Sequence, residues 1–156
     1  MIDRYDPLET PDPREWLDLD EGERLRLVED FHRRARVRLP NAKVHAVMHA
    51  IVENQIALGD EIPVQRTAQR LMDEGLDRHD TIHAIGSVLV GHMFDLTRQP
   101  ATDDDPNQPY IAELEQLTAE SWRESRIIGR GRRCLPIWVD TAKELILPNG
   151  NLREEI

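Results

Sequence analysis

Apolar positions along residues 20–38 fall at Leu25, Val28, Phe31 and Ala35, a spacing of threes and fours that keeps side chains on one face of a helix. Asp20, Glu21 and Glu23 open this segment, and Arg33, Arg34, Arg36 and Arg38 close it, an order that complements the helix dipole at both ends. Pro40 stops it. A second helix is predicted from an N-cap at Asn41 to Leu58, with Val44, Met48, Ile51, Gln55 and Leu58 as its stripe and Gly59 as its terminator. Pro63 opens a third, over residues 63–75, ended by Gly75. The fourth covers residues 77–98, with Ile82, Ile85, Leu89, Met93 and Leu96 facing inward. Pro100 and the acidic run after it break the chain before a fifth helical segment, residues 110–124. No strand-turn-strand pattern stands out. The pattern predicts an all-α, up-down helical bundle of about five helices with an irregular C-terminal extension. Residues 1–13 form an extended acidic arm, 14–98 a helical core domain, and 99–156 a C-terminal helix, basic loop and tail packed on the core.

Composition narrows the role. A chain of 156 residues fits one domain with a core of its own. With 39% hydrophobic and 32% charged residues it reads as soluble, and a net charge of −10 disfavours nucleic acid as a partner. A lone cysteine, Cys134, excludes an intramolecular disulfide and suits a reducing, cytoplasmic setting. No apolar run approaches the roughly twenty residues of a membrane span. A protein partner or a homodimer fits this balance; a membrane does not.

The segments LPNAKVHAVMHAIVENQ (residues 39–55) and EIPVQRTAQRLMDEGLDRHDTIHAIGSVL (residues 61–89), in this order, resemble a bacterial family of small α-helical proteins catalogued as a domain of unknown function. The resemblance runs over residues 15–96. It implies a helical fold with recurrent histidines and brings no established activity.

The chemistry lies in those histidines. Four of the six form two identically spaced pairs, His45/His49 and His79/His83. Residues four apart share a helix face, so each pair can chelate one divalent metal. Neither pair is the H-E-x-x-H motif of zinc proteases: Ala46 follows His45, and Asp80 follows His79. Short loops make the second, third and fourth helices run up, down and up, which brings both pairs to one end of the bundle. Four imidazoles, or three with a carboxylate, suit zinc, iron, nickel or copper. Glu53 is the nearest acid on the same face, about 12 Å along the axis from His45, placed to support the lower part of a metal site. No catalytic residues are assigned, and the balance leans away from an enzyme.

The alternative is an interaction module in which the histidines are structural, since both pairs flank their apolar stripes rather than centre them. Gly86 and Gly91 inside the fourth helix suggest close approach of a neighbour or room for a ligand beside His83. His92 and Gln55 read as hydrogen-bonded core-edge residues. The cluster of Arg123, Arg126, Arg130, Arg132 and Arg133, flanked by Trp122 and Trp138, offers a phosphate-binding loop or a partner for the acids at 103–105. Cys134 has no histidine near it in sequence and reads as structural.

Overall fold

Asp20 caps the helix that the charge order predicts. Its Oδ1 accepts the Glu23 amide at 2.7 Å, while Glu23 Oε2 accepts the Asp20 amide at 3.0 Å. This reciprocal box satisfies two orphan donors and stabilises the helix start by about 1 kcal/mol. In a computed structural model, which describes residues 1–98 and 105–129, the helix is one of seven α-helices. They are α1 (Pro13–Asp18), α2 (Glu21–Arg34), α3 (Ala42–Ala57), α4 (Val64–Asp73), α5 (Arg78–Arg98), α6 (Gln108–Gln116) and α7 (Ala119–Gly129), with a 3-10 turn at Gly59–Glu61. The described residues contain no strand, so the chain is all-α. None of its described helices is long and apolar enough to cross a membrane. The basic positions 130–133, Cys134, Trp138 and the tail lie outside the described residues.

Three boundaries depart from the expected ones. α2 ends at Arg34, not Arg38, because Arg36 takes a left-handed backbone with φ of 55°. The Val37 amide then donates to His32 O and the Arg36 amide to Arg33 O, both at 3.1 Å, which is the Schellman closure normally built on glycine. Arg36→Gly should therefore raise unfolding stability by about 1 kcal/mol, read by chemical denaturation. The fifth segment is two helices. Leu117 is extended, and Thr118 and Ser121 cap α7 by exchanging side-chain and amide hydrogen bonds at 3.1 Å. Finally, α1 forms because Asp12 accepts the amides of Arg14 and Glu15 at 3.0 Å, with Pro13 in the first helical position.

α3 is the hub, packing against α1, α2, α4 and α5. On one side lies an apolar core of Met48, Val52, Val64, Leu71, Ile82, Ile85, Leu89 and Leu114. On the other lies a smaller one built from Tyr5, Trp16, Leu27, Val28 and Ala46. The buried residues of α3 are His45, Ala46, Met48, His49, Ala50, Val52 and Glu53. The expected stripes hold except at their ends: Met48 is buried and Ile51 packs on the core, as do Ile82, Ile85 and Leu89 of α5, whereas Leu58 is 40% exposed and Leu96 of α5 is 46% exposed. Both histidines of α3 are buried, not on a wet flank.

Candidate metal centre

α2 delivers His32 from its last turn, α3 delivers His45 and His49 from its first two turns, and α5 delivers His79 and His83 from its own first two. Each contributes one nitrogen, and these five nitrogens all lie within 4.8 Å of one another. His49 Nε2 is 3.0 Å from His83 Nε2, and His45 Nε2 is 3.0 Å from His32 Nε2. The rings of His45 and His83 are 5.1 Å apart, and those of His49 and His79 are 5.2 Å apart. Both sequence pairs therefore converge on one cluster. His32, His45 and His49 are buried, and His79 and His83 partly so.

Outer contacts fix which nitrogen faces inward. Val28 O can only accept, so His32 Nδ1, 2.9 Å away, carries a proton and leaves its Nε2 lone pair toward the cluster. Tyr5 donates its single hydroxyl proton to Glu53 Oε1 at 2.7 Å. Toward His49 Nδ1, 3.2 Å away, the Tyr5 oxygen can then only accept. His49 consequently keeps its proton on Nδ1 and presents an Nε2 lone pair as well. His79 Nε2 is buried and meets no hydrogen-bond partner among the described residues.

Electrostatics favour the neutral rings that ligands require. Burial lowers the pKa of His45 to about 3, helped by His32 and His79, and that of His83 to about 2, helped by His79 and His45. Burial also pushes His49 well below its ordinary value, with His83 adding to the effect, and lowers His32 and His79. A charged imidazole is opposed here twice, by desolvation and by its neighbours.

Glu53 does not join the five nitrogens. Its carboxylate is clamped by Arg78, Nη1 to Oε1 at 2.8 Å and Nη2 to Oε2 at 2.7 Å, with both side chains under a tenth exposed. The remaining Arg78 donors reach Pro7 O at 3.0 Å and Thr10 Oγ1 at 3.1 Å. Glu53 touches the cluster through Tyr5 rather than directly. Its expected place at the lower part of a site becomes a supporting one, because the first residue of α5 puts a guanidinium against it.

Other candidates stand apart. His92 is buried and stacks on Tyr110, 5.5 Å between ring centroids. Gln55 accepts from the Tyr110 hydroxyl at 2.8 Å, tying α3 to α6 rather than to a histidine. Arg126 pairs with Asp80 at 2.8 Å, and Arg123 donates to Gly75 O at 2.9 Å, so these two arginines hold α7 against the start of α5. Of the acids at 103–105, only Asp105 is described.

The pairs at i, i+4 announced four of the five clustered histidines. His32 was missed because it stands alone and its place beside Arg33 and Arg34 reads as a cationic helix end. Its one signal was position, four residues after Val28 on the buried face of α2. Tyr5 and Arg78 carried no motif at all. Comparison of the chain with family models, with curated proteins and with solved structures found no match.

Proposed function

We propose that this protein binds one divalent first-row transition metal through His32, His45, His49, His79 and His83. The observation that carries the reading is the packing of five imidazole nitrogens within 4.8 Å. Lone pairs 3.0 Å apart repel unless a proton or a cation lies between them, and two of the inward lone pairs are fixed by outer hydrogen bonds. Neutral imidazoles without thiolate or carboxylate suit zinc, iron or nickel rather than magnesium or calcium. The chain's net charge of −10 draws cations toward it.

Tyr5, Glu53 and Arg78 then act as a support. Passing negative character from Glu53 through Tyr5 to His49 Nδ1–H orients that ring and raises its basicity, as carboxylate partners of metal-bound histidines do. Titration of apoprotein with zinc, followed by calorimetry, tests the arrangement. One zinc per chain is expected, with affinity reduced about 10–100-fold in Tyr5→Phe, which keeps the ring and drops the hydroxyl. His32→Ala should weaken it at least as much. Equal affinity in wild type and His32→Ala would contradict a five-histidine site. A folded protein that takes up no metal would favour the interaction-module reading instead.

A further inference from the structure

A small cleft of about 10 Å³, lined by His45, Met48, His49, Ile82, His83 and Gly86, opens beside the histidine cluster. Three of its walls are candidate ligands and three are apolar or bare backbone. We infer that the metal bound by the five histidines keeps an open coordination position facing this cleft, and that the position takes a single neutral ligand of water or diatomic size. This rests on the metal-binding reading and extends it to what the metal meets.

The number of nitrogens, with the cleft beside them, supports the open position. For metal–nitrogen bonds of about 2.1 Å, tetrahedral ligands lie about 3.4 Å apart, whereas in an octahedron adjacent ligands lie about 3.0 Å and opposite ones about 4.2 Å apart. Two nitrogen pairs here lie 3.0 Å apart and the whole set lies within 4.8 Å, and five nitrogens are one more than a tetrahedral ion takes. Five nitrogens on an octahedron leave one vertex. Only one face of the cluster, that of His45, His49 and His83, borders the cleft.

Cleft size and lining choose the ligand. About 10 Å³ admits one water-sized species and little more. Met48, Ile82 and Gly86 present no hydrogen-bond donor to an anion, so a polyatomic oxyanion is both too large and unsolvated there. Gly86 keeps the space open. A Cβ at that position would meet Met48 Cε at 3.8 Å and Val52 Cγ2 at 3.9 Å, so alanine fits and a branched side chain intrudes. Interior glycine costs a helix about 1 kcal/mol relative to alanine, which room for a ligand would explain.

Cobalt(II) loaded into the full-length apoprotein, followed by nitric oxide under anaerobic conditions, tests this. Weak visible absorption, characteristic of five- or six-coordinate cobalt, and loss of the cobalt paramagnetic signal at one nitric oxide per metal are expected. Gly86→Val should retain one cobalt per chain and bind nitric oxide at least tenfold more weakly. Gly86→Ala, which fits without displacing a neighbour, should fall between the two and serves as the reporter if the valine variant does not fold. Intense tetrahedral absorption, no response to nitric oxide, or unchanged binding in both variants would overturn the open position while leaving the metal site standing. No cobalt uptake would remove the metal site itself, and the inference with it.

Discussion

Arg78→Met is expected to destabilise the fold by about 3–5 kcal/mol, among the largest effects of any single change in the chain. Glu53 is 1% exposed, and its two oxygens take the two guanidinium bonds at 2.8 and 2.7 Å. Without Arg78 a carboxylate remains in the interior with only the Tyr5 hydroxyl to solvate it. The loss spreads further, because the same guanidinium holds Pro7 O and Thr10 Oγ1 of the N-terminal segment. Charge, more than volume, drives the effect. The double variant Arg78→Met/Glu53→Leu should therefore be more stable than Arg78→Met alone, since removing both partners leaves no orphan charge. Urea denaturation of the two variants and wild type measures it. An equal or larger loss in the double variant would show that the pair acts through packing instead.

Metal-free protein should lose stability steeply as pH falls below about 6.5. All five clustered histidines have folded-state pKa values below the ordinary one, with His45 at about 3 and His83 at about 2. The sign follows from proton uptake. Between these values and about 6.5 the unfolded chain binds protons that the folded one refuses, so acid favours unfolding. His45 and His83 each contribute about 1.4 kcal/mol per pH unit through that window, together on the order of 4 kcal/mol by pH 5, and His32, His49 and His79 add in the same direction. Helical circular dichroism against pH should show a cooperative transition between about pH 6 and 4. Saturating zinc should move its midpoint to lower pH, because the metal binds only the folded, deprotonated cluster. A metal-free protein whose helicity holds to pH 4 would mean that the histidines protonate in place.

Sequence reading found four of the five clustered histidines but misjudged how deeply those of α3 are buried, for a definite reason. Periodicity reports which helix face is apolar, and in α3 the most protected positions include His45, His49 and Glu53. A polar buried face is invisible to a rule that ranks faces by apolar content, so the imidazoles were placed on a flank. The two pairs nevertheless meet, as expected. The glycines at 59 and 75, with φ of 68° and 93°, turn the chain tightly enough that the starts of α3 and α5 meet. The cap at Asn41 was legible because capping is local, and the acids from Asp20 marked the start of α2 without revealing its capping box, whereas the Arg36 closure breaks the usual rule and could not be read. Tyr5 was hidden by its surroundings. An acidic, proline-rich stretch reads as solvated, yet its aromatic ring is 1% exposed and rests on Trp16 and Phe31.

Metal content of the protein purified without a histidine tag bears most directly on the five-histidine centre. Elemental analysis should find close to one zinc, iron or nickel per chain, falling below a tenth of that in His32→Ala/His49→Ala, with both proteins folded. A folded wild-type chain that carries no metal and takes up none on titration would contradict it, and so would a double variant that holds as much metal as the wild type.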